Sequence, residues 1–179
     1  NTEVVIGEYL LTLIKLCDLE TIYTSLDLEI AFFDELTKYE GVLEGAEKFL
    51  KYIKDRGAYV VAVSNSCISS GVLKRGLEKI KILKYFDEVI SSADVLYRKP
   101  NQIMFLEGIK IIKEKKINID NMYFVGNDYR CDIFGAYNVG LKSIWYNEKN
   151  EEDVNNYATF KANNYDEVIN YLQNNVFKA

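Results

Sequence analysis

A group of oxygen-bearing side chains follows a short apolar run, Met122 to Val125. The run ends at Gly126, and Asn127, Asp128 and Asp132 all come within six residues of that glycine. An unpaired charge is costly to bury, so carboxylates at the end of a buried strand need a cation or a solvated cleft. The spacing therefore predicts a site in which these oxygens face a positively charged group.

Two other polar clusters lie beside predicted strands. The tripeptide Ser64–Ser66 ends an apolar run that begins at Ala58, and Arg98-Lys99 comes directly before Pro100. Ligands of parallel sheets bind beyond the C-terminal ends of the strands. We therefore expect the three clusters to converge at one edge of a sheet, although they are far apart in sequence.

The elements that would position these clusters alternate between strands and helices. Apolar runs of strand length cover residues 58–64, 88–92, 122–126 and 141–146, with a weaker signal near 158–160. Amphipathic segments separate them, including a short helix from Cys131 to Asn138. Continuous apolar strands with intervening helices predict an α/β fold, a parallel sheet with helices on both faces.

The N-terminal quarter has a different pattern, with predicted helices at residues 3–16 and 26–39. The second helix shows apolar residues at helical spacing: Leu28, Phe32, Leu36 and Tyr39. Glu40-Gly41 is the predicted junction. Residues 1–40 are therefore expected to form a helical segment, and residues 41–179 an α/β domain.

Composition excludes several classes of function. The 179 residues carry a net charge of −5, which argues against a nucleic-acid partner. No apolar run approaches the roughly 20 residues of a membrane span. The chain has three cysteines that form no CxxC pair, Cys17, Cys67 and Cys131. They predict neither a zinc cage nor a disulfide framework, and a reduced, cytoplasmic protein is expected. The chain has no histidine, which excludes Ser-His-Asp and Cys-His catalysis within it.

The three clusters, in this order, resemble motifs II, III and IV of the haloacid dehalogenase-like (HAD) hydrolases, most of which are magnesium-dependent phosphatases. The matching stretches are VVAVSNS, YRKPNQIMF and YFVGNDYRCDIFGAYNVGLKSIWYN. YEGVLEGAEKFLKYIKDRG resembles the entry into the family's core after its cap. The resemblance runs from Tyr39 to Asn147 and implies a Rossmann-like HAD core, with residues 1–40 as an incomplete helical cap.

The resemblance implies roles for four residues. Ser64 and Lys99 would be catalytic, and Asn65 would bind substrate. A phosphate monoester is doubly charged, so positive charge must be concentrated around its oxygens. Lys99 would supply one fixed cation and Ser64 a hydrogen bond to a phosphoryl oxygen, while Mg²⁺ bound to Asp132 would supply further positive charge.

The metal motif departs from the family pattern at one position. The family often has Gly-Asp there, whereas this chain has Gly126 followed by Asn127 and then Asp128. Asn127 can coordinate Mg²⁺ through its amide oxygen, or the role passes to Asp128. Both remain candidates.

The family's motif I, a strand ending in Asp-x-Asp that supplies the nucleophile and the general acid-base, has no match in this chain. Three interpretations are open. In the first, the motif lies upstream of these residues. In the second, LIKLCDLETIYT is a degenerate form of the motif, with Leu13 to Cys17 as strand, Asp18 as nucleophile and Glu20 as acid. In the third, the protein is an inactive relative that only binds. A sheet without its central strand would expose an edge that invites association.

Each candidate also has a purely structural interpretation. Ser64–Ser66 can be a loop that opens a helix, Lys99 a solvated surface lysine, and Asp132 an acid that complements a helix dipole.

A response-regulator receiver domain is excluded because its lysine follows its acidic residues in sequence. The acidic cluster disfavours a metal-free dehalogenase, whereas a phosphomutase stays open. The resemblance therefore implies a Mg²⁺-dependent phosphomonoesterase acting on a small phosphorylated metabolite.

Overall fold

The structure is a computed structural model that describes residues 2–38 and 41–177. In chain order its main elements are α1 (Ile6–Leu16), α2 (Ser25–Leu36), α3 (Ala46–Lys54), β1 (Val61–Ser64), α4 (Ser70–Lys79), β2 (Glu88–Ser91), α5 (Ser92–Val95), α6 (Gln102–Glu114), β3 (Tyr123–Gly126), α7 (Phe134–Tyr137), β4 (Lys142–Tyr146), β5 (Phe160–Ala162) and α8 (Tyr165–Asn175). Tyr39, placed at the end of a predicted helix, and Glu40, placed at the predicted junction, lie outside the described residues.

All paired strands run parallel, as the continuous apolar runs predict. β1 pairs with β2 from Val61 opposite Glu88 to Ser64 opposite Ser91. A second sheet has the order β3-β4-β5, with Gly126 opposite Trp145. The predicted strands are all present, and the weak signal near residue 158 corresponds to β5, which begins at Phe160. The α/β fold class is confirmed.

The chain divides into two compact units, each of which is built from two segments. The first unit holds the residues up to Gly41 together with Val61–Arg98, and so contains α1, α2, α4, α5 and the β1-β2 sheet. The second holds Val42–Val60 and the chain from Lys99 onward, with α3, α6–α8 and the β3-β4-β5 sheet. The boundary between residues 40 and 41 stays a prediction.

In the first unit the helical segment packs against α4. Phe33, Ile68 and Val72 form a buried cluster that joins α2 to α4 and to the loop before it. The apolar face predicted for the second helix is confirmed at Phe32, which packs against this cluster, but is wrong at Leu36, which is 59% exposed. Glu29, by contrast, is only 4% exposed. The Glu29 carboxylate turns inward because it accepts a hydrogen bond from the backbone N–H of Ser69.

In the second unit the central strand β4 is covered on both faces. Ile144 and Trp145 are consecutive and therefore point to opposite faces of the sheet, yet both are buried. The almost fully buried side chains of the second unit also include Met104, Phe105, Ile133 and Val168. β3 is paired with this buried strand, and the candidate metal-binding residues follow the C-terminal end of β3.

Two glycines of α4 provide a matched test of the first unit's packing. A Cβ atom at Gly76 would lie 2.6 Å from Cε1 of Phe33, whereas a Cβ atom at Gly71 would meet nothing within 4 Å. Alanine favours a helix over glycine by up to about 1 kcal/mol, so we expect Gly71→Ala to raise the free energy of unfolding. We expect Gly76→Ala to lower it by about 1–3 kcal/mol, because the Phe33 ring must shift. Denaturant unfolding measures both, and equal effects would contradict the packing of Phe33 on α4.

Candidate active site

The candidate metal-binding residues begin where β3 ends. Gly126 is the last residue of β3, and Asn127 and Asp128 follow it with exposed side chains. The Asp128 carboxylate accepts a hydrogen bond from the backbone N–H of Cys131, 2.6 Å away, and so caps the next turn. Asp128 therefore has a structural role at this strand end, whatever else it binds.

The turn after Asp128 differs from the helix that the sequence predicts. A π-helical turn spans Tyr129–Ile133, and α7 continues from Phe134 only to Tyr137. The backbone carbonyl of Asp128 accepts the N–H of Asp132 at 2.8 Å and that of Ile133 at 3.2 Å. The prediction of a helix from Cys131 to Asn138 is wrong at its start, because the Asp128 cap begins the turn two residues earlier.

Asp132 and Lys99 form an ion pair with little exposure to solvent. The Lys99 Nζ atom lies 2.7 Å from Oδ1 of Asp132, and the two side chains are only 10% and 8% exposed. The second carboxylate oxygen, Oδ2, accepts the backbone N–H of Asp128 at 3.0 Å. The interpretation of Lys99 as a solvated surface lysine is therefore wrong, and Asp132 does more than complement a helix dipole.

Gly126 allows this close approach of Asp132 to the strand. A Cβ atom at position 126 would lie 2.5 Å from both Cβ and Oδ2 of Asp132. No side chain can be accommodated there unless Asp132 moves away. The sequence shows Gly126 only as the end of an apolar run, and its steric role could not be predicted without the path of the following turn.

Ser64 and Asn65 lie at the C-terminal end of β1, in the first unit. The loop after them is fixed by the Ser66 N–H, which donates to Oγ of Ser92 at 2.8 Å. This loop leads to α4, which begins at Ser70 after the N-cap residue Ser69. Lys99, Asn127, Asp128 and Asp132 belong to the second unit. The convergence of Ser64 with them stays a prediction.

A buried carboxylate that the sequence did not single out lies beside this loop. The side chain of Glu3 is 4% exposed, pairs with Arg98 and accepts a hydrogen bond from Oγ of Ser92 at 2.5 Å. Arg98, which the sequence groups with Lys99, therefore balances the charge of Glu3. No periodicity or motif marks Glu3, because its partner is 95 residues away.

The degenerate form of motif I is contradicted by the helix at its position. Leu13 lies inside α1, which ends at Leu16, and Cys17 caps that helix. Asp18 follows with a positive φ of 53°, and both Asp18 and Glu20 are exposed. Neither carboxylate lies at the end of a strand, so this interpretation is wrong.

Cys131 lies within the acidic cluster as a neutral thiol. Burial raises its pKa, and the negative charges of Asp128 and Asp132 raise it further. A thiol in such a field is a poor nucleophile.

Among residues 2–38 and 41–177, no group of three or more cysteine, aspartate, glutamate or histidine side chains is arranged to hold a metal ion. In the same described residues, no helix combines the length and the apolar character that crossing a bilayer requires.

The ion pair makes a prediction about stability. Lys99→Met leaves the Asp132 charge buried without its partner, which should lower the free energy of unfolding by about 3–5 kcal/mol. The double variant Lys99→Met/Asp132→Leu should recover most of that loss, because an apolar pair needs no counter-charge. Denaturant unfolding of the three proteins measures both effects.

A surface pair provides the control. Lys51 and Asp55 are 2.6 Å apart, but their side chains are 64% and 57% exposed. Lys51→Met should cost less than about 1 kcal/mol, since exposed ion pairs contribute little. Similar losses for Lys99→Met and Lys51→Met would contradict the burial of the Lys99–Asp132 pair.

Two curated relatives have phosphatase names. A glyceraldehyde 3-phosphate phosphatase from Methanothermobacter thermautotrophicus is 34% identical over 85 residues, which are 46% of this chain and 36% of that protein. A ribulose-1,5-bisphosphate 5-phosphatase from Halopiger xanaduensis is 23% identical over 130 residues, 73% of this chain and 52% of that protein. The chain thus spans about half, or less, of the length of these relatives.

The fold has a solved counterpart in a HAD phosphatase from Thermococcus onnurineus. The TM-score is 0.67 at 23% sequence identity, and the match covers 89% of this chain and 68% of that one. At this identity the similarity establishes the fold alone.

The sequence profile of one family matches residues 19–146. The matched range includes β1 through β4 and contains Ser64, Lys99, Asn127 and Asp132. Because it covers well over half of the chain, the chain belongs to the haloacid dehalogenase-like hydrolase family.

Proposed function

We propose that the full-length protein is a Mg²⁺-dependent phosphomonoesterase that acts on a small phosphorylated metabolite. The observation that carries this proposal is the buried Lys99–Asp132 pair directly beyond β3, next to the exposed oxygens of Asn127 and Asp128. The family of the chain and the phosphatase names of its relatives support the same reaction class.

The chemistry needs positive charge that is fixed before the substrate arrives. Phosphate monoesters hydrolyse extremely slowly without a catalyst, and charge stabilisation around the phosphoryl oxygens supplies much of the acceleration. Lys99 is suited to this because Asp132 holds its ammonium group in one place. Ser64 would donate a hydrogen bond to a phosphoryl oxygen, and Asn65 would contact the substrate.

The donor atoms present fit Mg²⁺ as a partial site. Mg²⁺ prefers oxygen ligands and usually binds through one or two carboxylates, with phosphate and water completing its shell. Asp132, with either Asn127 or Asp128, would supply the protein oxygens. When bound, the ion would neutralise charge on the phosphoryl group. One oxygen of Asp132 already contacts Lys99, so the lysine would also fix the direction of this ligand.

The nucleophile in this proposal is an aspartate of an Asp-x-Asp strand outside these 179 residues. Its carboxylate would attack phosphorus and form an aspartyl-phosphate, while the leaving oxygen takes a proton from the second aspartate. Water would then attack phosphorus, give its proton to that second aspartate and release phosphate. Within the described residues β1 pairs only with β2, and β3 only with β4, so each sheet taken by itself offers an open edge to such a strand. Without it, the same edges would invite pairing with another chain.

The names of the relatives also bear on the substrate class. Glyceraldehyde 3-phosphate and ribulose 1,5-bisphosphate are both small phosphorylated sugars. We propose a substrate of that size for this protein. A cytoplasmic location and the lack of a nucleic-acid partner stay predictions from composition.

Turnover of an aryl phosphate by the natural full-length protein tests the proposed function. We expect Mg²⁺-dependent release of phosphate, and a loss of kcat/KM of roughly a hundredfold or more in Lys99→Ala and Asp132→Ala, as for removal of one charge-stabilising group. Lys110→Ala, on the exposed side of α6, is the matched control and should behave as wild type. Unchanged activity in both site variants would refute the site assignment.

A pair of conservative variants identifies the metal ligand beside Asp132. If Asn127 coordinates Mg²⁺, Asn127→Asp should bind the ion more tightly, because a carboxylate replaces a neutral amide, and Asp128→Asn should change affinity little. If Asp128 coordinates it, Asp128→Asn should weaken binding and Asn127→Asp should matter less. Isothermal titration with Mg²⁺ alone distinguishes the two. Unchanged affinity in both variants would exclude both residues as ligands.

A further inference from the structure

Trp145 connects β4 to the candidate metal-binding residues. It lies opposite Gly126 in the β3-β4 ladder and is only 2% exposed. Its indole N–H donates a hydrogen bond to the backbone carbonyl of Asn127 at 3.0 Å. Asn127 itself is exposed, so this bond ties an otherwise solvent-facing residue to the buried core.

A second contact fixes the chain on the other side of Asp128. The ring of Tyr129 packs against Trp145 with 4.6 Å between the ring centroids. The Tyr129 hydroxyl donates to the Asp153 carboxylate and accepts the N–H of Asn155 at 3.3 Å. The backbone is therefore anchored on both sides of Asp128: at Asn127 by the indole of Trp145, and at Tyr129 by the contacts of its ring and hydroxyl.

Asp153 is itself held in place by its surroundings. It accepts the backbone N–H groups of Tyr157 at 3.0 Å and of Ala158 at 2.9 Å. Burial favours the neutral acid, but these donors and the Tyr129 hydroxyl outweigh it and hold the pKa of Asp153 below its usual value. The anchor of Tyr129 is thus a charged group with several donors, which makes it rigid.

We infer that Trp145 and Tyr129 are positioning residues that fix the direction in which Asn127 and Asp128 present their oxygens to Mg²⁺. The inference rests on the proposed function, because it assumes that this loop binds the metal. The amide oxygen of Asn127 carries no net charge. The Mg²⁺ affinity of a site that contains it therefore depends more on a backbone that is already in place than the affinity of a site with a carboxylate there. Neither aromatic residue is proposed to touch the substrate.

Trp145→Phe separates this role from simple packing, because it keeps a buried aromatic ring and removes the N–H. In the full-length protein we expect the Mg²⁺ concentration for half-maximal activity to rise by roughly tenfold, the lower end of what is seen when groups that orient metal ligands are changed. The kcat at saturating Mg²⁺ and the KM for an aryl phosphate should stay close to wild type. Tyr129→Phe, which keeps the ring stacking and loses the bond to Asp153, should act in the same direction. Tyr137→Phe is the control, since the Tyr137 ring packs against Tyr157, which also contacts Tyr129, and is 54% exposed.

The indole also gives a readout that needs no turnover. Trp145 is the single tryptophan of these 179 residues, and the difference between wild-type and Trp145→Phe emission isolates its signal. Titration with Mg²⁺ alone should change that emission with the half-saturation found by calorimetry.

The outcomes separate this inference from the proposed function. Weaker Mg²⁺ binding in Trp145→Phe by calorimetry, in a protein without turnover, would support the positioning role and refute the phosphatase. Mg²⁺-dependent turnover with the same Mg²⁺ requirement in Trp145→Phe and Tyr129→Phe would refute the positioning role and leave the phosphatase. If Trp145→Phe does not fold, Tyr129→Phe decides alone. A fall in thermal stability without a change in Mg²⁺ requirement would make the contacts purely structural.

Discussion

The ion pair between Lys99 and Asp132 is the contact around which the candidate site is built. Two opposite charges with about a tenth of their side-chain surface exposed remain stable because each compensates the other and Asp128 satisfies the second carboxylate oxygen. The neighbouring backbone fits this pair. The π-helical turn brings Asp132 back over the strand end, and Gly126 has no Cβ atom to obstruct it. The strand, the glycine and the turn therefore act together to hold one lysine ammonium group in place.

Two buried carboxylates of the first unit also bind groups that are distant in sequence. Glu29 of α2 accepts the backbone N–H of Ser69, and Glu3 pairs with Arg98 and the hydroxyl of Ser92. Both connect the N-terminal helical segment to the loops around β1 and β2 in the first unit. Removing the donors of a buried acid leaves its charge unsatisfied, which is strongly destabilising, so these contacts specify how the helical segment packs.

The sequence predicted the parallel strands and the helices between them, because continuous apolar runs are a strong local signal. It also placed Ser64 at the end of β1 and Asn127 directly after β3 correctly, whereas the short helix α5 separates Arg98-Lys99 from the end of β2. It did not predict the direct contact of Lys99 with Asp132, since no sequence pattern encodes a pairing across 33 residues. The apolar face of α2 was wrong at Leu36 for a similar reason: hydrophobic spacing favoured Leu36, whereas the distant N–H of Ser69 turned Glu29 inward. The steric need for glycine at position 126 likewise depends on a turn whose π-helical path local propensity does not reveal.

The intact mass of the natural gene product, measured before and after acid quenching of a reaction with an aryl phosphate and Mg²⁺, tests the central claim most directly. A phosphatase that works through an aspartyl-phosphate outside these residues predicts a product heavier than the 179-residue chain. It also predicts the gain of one phosphoryl group, located by peptide mapping on an aspartate upstream of residue 1, and no accumulation of that species in Lys99→Ala. A gene product with the mass of this chain and no phosphoryl gain would contradict the claim.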